Sequence, residues 1–234
     1  MSDSAPTLFP LSRDHFPMIV QDAPLRDAAL SRQMLALWEE MRSRNPRLFD
    51  GPLLTVRDLD TNTGTLKLQR DTYMPYAVQP EIDTKTISLG VTAIIAHGTG
   101  TSTAYLLGQR ASRTHMYPDQ WEFGPSGALS PPDSNSLTLA HIHQQLAAEI
   151  SEEIGLTLTL SHANTSPLCL ALDPVARSID LVMLITLDHR PTLSSNWEYQ
   201  SVQWVNTTEF QSWANNNSLI PPSHSIMRLL NMAV

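Results

Sequence analysis

Residues 136–156, SLTLAHIHQQLAAEISEEIGL, constrain the fold more than any other stretch, because two patterns in them compete for one helical face. At about 100° of rotation per residue, Leu139, Ile142, Leu146, Ile150 and Ile154 form one apolar stripe. That spacing predicts a helix over residues 136–154 and fits no strand. Glu149, Glu152 and Glu153 stand at i, i+3 and i+4 and share a face. On the same wheel Glu153 falls between Ile142 and Leu146, and Glu149 just outside Ile142, so the acidic arc overlaps the buried arc. Carboxylates so placed repel one another, and burying one without a partner is costly or shifts its pKa until it is neutral. A divalent cation removes both objections, since Mg2+ takes oxygen ligands, often a few carboxylates together with substrate phosphates. Gly155 then ends the helix. The plainer alternative is the charged edge of an amphipathic helix.

Residues 148–156, AEISEEIGL, resemble the second half of the Nudix box, whose pattern is G-x5-E-x7-R-E-U-x-E-E-x-G-U with U aliphatic. Eight of these nine positions are compatible, and the three metal-binding glutamates of the family fall on Glu149, Glu152 and Glu153. The first half departs from the pattern: Ala148 stands for the box arginine, Ala140 for the first glutamate and Ser134 for the glycine. A second alignment takes Gly127 as the box glycine, because residues 121–129, WEFGPSGAL, are similar to the W-x-F-P-x-G-G run that precedes the box. Residues 130–136, SPPDSNS, are then an enlarged loop. In the family the arginine and first glutamate brace the loop-helix-loop, so their joint absence implies a lost brace with the metal ligands retained.

Around the box the chain alternates as a strand-rich domain should. Strands are expected over residues 88–96, 104–109, 156–160, 168–173 and 179–187, with a hairpin turn, not a phosphate cradle, at residues 97–102. Residues 105–110, YLLGQR, resemble the early Nudix strand that ends in a basic residue, here Arg110, and residues 199–210 resemble the late strand that leads into a short acidic helix start. Residues 1–24 hold four of the seventeen prolines and read as an extended arm. A packing helix is expected over residues 25–43 from Leu30, Met34, Leu37, Trp38 and Met41, then a hairpin over residues 53–70 with its turn at 60–64. The resemblance therefore implies an α+β chain: a Nudix-type α/β/α sandwich around a mixed β-sheet over residues 86–234, with an N-terminal extension of arm, helix and hairpin over residues 1–85. Residues 45–51, NPRLFDG, with the hairpin after them look like the extension of Nudix members that cleave UDP-sugars.

Composition removes other classes. A net charge of −8 with no long basic run disfavours nucleic-acid binding. No apolar run approaches the roughly 20 residues that span a bilayer, and the first residues lack a basic-then-apolar signal pattern, so no membrane partner and a cytoplasmic location are expected. The single cysteine, Cys169, excludes an intramolecular disulfide framework and lies in an apolar context suited to a buried thiol. His141 and His143 are two apart and cannot share a metal from one helix face; a surface or hinge position is expected for both. No serine sits in a G-x-S-x-G setting. Trp121 and Trp204 read as core aromatics. Arg57, Arg70, Arg110 and Arg113 could each neutralise a diphosphate, and only Arg110 has a positional argument.

The resemblance implies a metal-dependent hydrolase acting on a small-molecule nucleotide, a nucleoside diphosphate linked to another moiety such as a sugar. Mg2+, or Mn2+, would be held by Glu149, Glu152 and Glu153, which would also be the catalytic residues, with Glu198 as general base and Arg110 and Gly127 at the substrate. The rival class is a Nudix-fold nucleotide-binding module, catalytically weak or inactive for want of its brace. The second group of the substrate is not written in the box, because fold-level likeness does not carry specificity.

Overall fold

Alternating and helical spacings become eleven strands and five α-helices in the computed structural model, among the residues it describes, 5–11, 18–60 and 65–230. In chain order these are β1 (Thr7–Pro10), β2 (Met18–Asp22), α1 (Ala28–Arg44), β3 (Pro52–Asp60), β4 (Thr65–Thr72), α2 (Tyr73–Ala77), β5 (Ser88–His97), β6 (Ala104–Arg110), β7 (Trp121–Phe123) and β8 (Ser126–Ala128). After them come α3 (Leu139–Ile154), β9 (Thr165–Asp173), β10 (Ser178–Leu187), β11 (Tyr199–Asn206), α4 (Phe210–Ala214) and α5 (Pro221–Leu229). They divide between two compact units, one of Phe16–Leu89 with Ala128–Thr138, the other of Met1–His15, Gly90–Gly127 and Leu139–Val234. No helix among the described residues is long and apolar enough to cross a membrane.

In the first unit, Asp27 caps α1 by accepting from Ala29 N at 2.8 Å and Leu30 N at 3.2 Å. The apolar face predicted for this helix buries Met34 and Trp38 against Val78 and α2, with the Trp38 and Tyr73 rings edge-to-face at 6.2 Å. The expected hairpin is β3 and β4, antiparallel; its turn, residues 61–64, lies outside the described residues. Part of the expected arm is β2, which runs parallel to β4 and makes the pairing mixed.

The enlarged loop belongs to this unit and has a partner there. Leu129 is hydrogen-bonded to Leu54 and Leu89, Val20 N donates to Asn135 O at 3.0 Å, and Leu137 N donates to Met18 O at 3.1 Å. Arg70 reaches Ser134 O at 2.7 Å and pairs with Asp22, so its guanidinium is taken up within this unit. This pairing corrects the predicted start of the box helix. Ser136 and Leu137 are held extended beside β2, and α3 begins at Leu139.

In the second unit β1, β9, β10 and β5 are hydrogen-bonded in that order; β6 joins β5, β7 and β11, and β8 joins β5. β1 also comes from the expected arm, pairing Thr7 with Leu172 through Pro10 with Cys169. Helices cover both faces of this sheet, as an α/β/α arrangement requires. Trp121, Phe123, Leu107, Ile94 and Val182 enter one cluster with Phe210, Ile226 and Met227 of α4 and α5. Glu122, between two of these aromatics, must point to the other face, where it comes within electrostatic reach of Glu153 on α3.

Two further expectations fail here. Residues 156–160 form no strand: Leu156 N turns back to Ile150 O at 3.4 Å and Thr159 O accepts from Asn164 Nδ2 at 3.0 Å. His143 is not a surface or hinge residue but buried, with Nε2 2.7 Å from Thr165 Oγ1 and its ring edge-on to His162. Thr165 already donates its hydroxyl proton to Ser161 O at 2.7 Å, so His143 Nε2 is the donor in this pair. Burial, with His162 beside it, lowers its pKa.

Candidate active site

The site is built where α3 ends. Gly155 takes φ +66°, the left-handed conformation a helix-ending residue needs. The last carbonyls of a helix have no partner within it, and here the segment before β11 supplies them. Asn196 Nδ2 donates to Glu152 O at 3.0 Å, Asn196 N to Glu153 O at 3.1 Å and Ser194 N to Ile154 O at 3.0 Å. The same Asn196 accepts from Glu198 N at 2.6 Å, and Ala111 N donates to Glu198 O at 2.7 Å. Glu198 is thereby fixed beside the glutamates of α3 by backbone contacts on both sides.

The overlap of acidic and apolar arcs is real. Glu153 is 3% exposed, Glu149 is half-buried and Glu152 is exposed. Burial pushes Glu153 up to about 9, and Glu198, Glu122 and Glu149 add to the rise. Burial likewise pushes Glu149 up to about 7, with Glu152 and Glu198 adding to it. Glu198 is also raised, by burial first, against the lowering effect of Arg110. Gly127 lies directly against Glu149: a Cβ there would overlap its carboxylate. Gly127 and the first glutamate of the retained half-box therefore meet.

Two members of this group escape the sequence patterns. Glu122 is 3% exposed; Arg110 Nη1 donates to it at 2.7 Å and the Tyr199 hydroxyl at 3.0 Å. Burial raises its pKa while the guanidinium lowers it. Tyr199 also acts on Glu153, lowering its pKa against the larger effect of burial. Strand alternation could have found Glu122, since a polar residue between two core aromatics must face the other side. Nothing local marks Tyr199. Arg110, expected at the substrate, is turned to protein partners, Glu122 and Met116 O. Arg113 is drawn to Trp197, and Ala140 and Ala148, at the brace positions, stand exposed on α3.

Glu122, Glu149, Glu152, Glu153 and Glu198 thus act on one another electrically, with Arg110 the guanidinium paired among them. An all-carboxylate donor set and uncompensated negative charge suit a hard divalent cation. Among the described residues, no three His, Cys, Asp or Glu side chains converge closely enough to ligate one ion as they stand. Charge and donor type fit such an ion; the exposed Glu152 is the side chain with room to swing toward it.

No protein-family model matches the sequence, and no curated protein matches it. Solved structures do. The MutT protein of Methanosarcina mazei is 16% identical over 60% of this chain and 91% of its own, with a TM-score of 0.44. A Nudix hydrolase from Alicyclobacillus acidocaldarius is 14% identical over 62% and 90%, TM-score 0.46. An Ap4A hydrolase of C. elegans is 17% identical over 62% and 93%, TM-score 0.42.

Proposed function

We propose that this chain is a Nudix-type hydrolase that uses Mg2+ or Mn2+ to cleave the phosphoanhydride of a nucleoside diphosphate linked to a second group, releasing a nucleotide and a phosphorylated product. The observation that carries the reading is the packing of Gly127 on Glu149 beside the buried Glu153, at a helix end where carboxylates outnumber their counter-ion. A purely structural helix has no use for that arrangement. Glu149, Glu152 and Glu153 would hold the cation, which when bound supplies charge neutralisation at the diphosphate and a lowered pKa for water.

The chain's own groups would do the rest. Glu198, half-buried and raised in pKa, can accept a proton from water more readily than a solvated carboxylate. Arg110 would share its planar guanidinium between Glu122 and a diphosphate oxygen. Gly127 keeps the surface beside Glu149 free of side chain for the substrate. The extension over residues 1–85 is proposed to select the second group, with a nucleotide sugar as the leading candidate, and the buried single thiol suits a cytoplasmic setting. Nucleotide sugars, dinucleotides and nucleoside triphosphates incubated with either ion and resolved by chromatography provide the test. Release of a nucleotide and a phosphorylated partner from at least one is expected; no product from any would sink the hydrolase.

Binding without turnover is the second reading. It is favoured by the exposed alanines at both brace positions and by carboxylates that do not converge on one ion. A protein that bound Mg2+ and nucleotide in calorimetry yet released nothing would establish it.

A further inference from the structure

Trp197 stands between Asn196 and Glu198 in the segment that closes the end of α3, and it is 58% exposed. A single exposed aromatic is ordinary on a protein surface; this one is also held. Its neighbour Asn196 is fastened to Glu152 and Glu153 of α3 and to the backbone of Glu198. Arg113 donates Nε and Nη2 to Trp197 O, each at 3.2 Å, and its guanidinium carbon lies over the indole at 5.7 Å from the ring centroid. The contact is a cation–π pair. Backbone is thus pinned on both sides of the ring, a cation covers one part of it, and the remainder is open to solvent one residue from the carboxylate group.

We infer that Trp197 and Arg113 form a nucleobase subsite, the open indole stacking on the base and Arg113 placing positive charge near the ribose and phosphate. This deepens the hydrolase reading and rests on it for the position of the diphosphate. A rigid aromatic offers contact area at little cost in ordering. An acid-rich site in a chain of net charge −8 repels an anionic ligand, which makes a cation at the base end useful. Stacking tolerates any base because every base has a π-face. The subsite therefore distinguishes nucleotides from sugar phosphates without choosing among nucleobases.

The test is calorimetry and tryptophan fluorescence on the full chain in saturating Mg2+, with AMP, UMP and ribose 5-phosphate, none of which contains a phosphoanhydride. AMP and UMP are expected to bind with similar affinity and quench fluorescence, and ribose 5-phosphate to bind on the order of ten- to a hundredfold more weakly, the range that base stacking supplies. Trp197→Leu should remove that preference and reduce the quench, Trp197→Phe should restore most of it, and Arg113→Gln should weaken AMP while leaving the quench. Equal affinity for AMP and ribose 5-phosphate, no AMP binding, or AMP affinity unmoved by both Trp197→Leu and Arg113→Gln overturns the subsite. Nucleotide binding through Trp197 with no hydrolysis of any phosphoanhydride would leave the subsite standing and remove the hydrolase. Hydrolysis with kcat/KM indifferent to Trp197→Leu would do the reverse.

Discussion

Glu153 places a carboxylate on the face where α3 otherwise presents Ile142, Leu146 and Ile150 to the interior. Its 3% exposure and its rise to about 9 describe a group that stays protonated at neutral pH until a cation arrives. Replacing it by Gln keeps size and hydrogen-bonding shape but removes the ionisable group, so two effects should appear together. Hydrolysis should fall by at least about a hundredfold, because the ion's charge stabilisation is worth several kcal/mol and each 1.36 kcal/mol is tenfold. The metal-free protein should melt higher above neutral pH, since no buried charge has to form. Near wild-type turnover by Glu153→Gln in saturating Mg2+ would withdraw that residue as a ligand. Glu152 is exposed, so Glu152→Gln should lose activity with almost no change in melting. Gly127→Ala tests the other side of the same contact. The added methyl would overlap the Glu149 carboxylate, and overpacking of this kind costs about 1–3 kcal/mol; a lower melting temperature and a loss of Mg2+ affinity in calorimetry are expected. Unchanged Mg2+ affinity in a folded Gly127→Ala protein would show that Glu149 is not held for metal.

The element that carries the site, α3, was legible because its signal is local. Five apolar residues at helical spacing and a glycine at the end need no knowledge of neighbours. Its first turn was not legible, because Ser136 and Leu137 are captured by β2, more than a hundred residues earlier in the chain. The same physics hid the rest. Glu122 and Tyr199 join the acids only when β6, β7 and β11 pair, and His143 is buried by a contact with Thr165 that no helical wheel contains. Residues 156–160 alternate like a strand but have no pairing partner, and alternation without a partner makes no strand. The end of α3 is likewise a tertiary product, because Asn196 supplies two of its cap bonds. Asn196→Ala removes the side-chain bond to Glu152 O and the acceptor for Glu198 N. Two hydrogen bonds at about 0.5–1.5 kcal/mol each should lower the melting temperature by roughly 2–12 °C. Activity should fall further than stability explains, because Glu198 loses its anchor. A melting curve superimposable on the wild type would mean that the cap contributes nothing.

At the scale of the whole molecule, sequence order and structural units differ. The extension over residues 1–85 contains β1, which pairs with β9 in the unit that holds the glutamates, and removing it would bare the edge of β9. Deletion at residue 85 should therefore aggregate, and substrate choice is better tested by substitutions on β3 and β4. The widest consequence of the acid group is a coupling between pH, metal and stability. Glu149 and Glu153 have folded-state values of about 7 and about 9, above the roughly 4.3 of an unfolded glutamate. Between those limits the folded chain holds more protons than the unfolded one, so stability falls as pH rises through the window. Without metal, melting should be highest near pH 5 and decline toward pH 9. Mg2+ competes with those protons and binds the folded state, so the increase in melting temperature that it gives should be small near pH 5 and grow with pH. Asp180, pushed up to about 7 by burial, adds a slope of the same sign in the absence of metal. Glu153→Gln separates the contributions: it should flatten the metal-free decline above pH 7, where Asp180 and Glu149 are already largely ionised, and cancel most of the Mg2+ increment. Calorimetric melts in EDTA and in Mg2+ across pH 5–9 decide the matter, and a Mg2+ increment that is absent, or constant with pH, removes the cation from this group of glutamates.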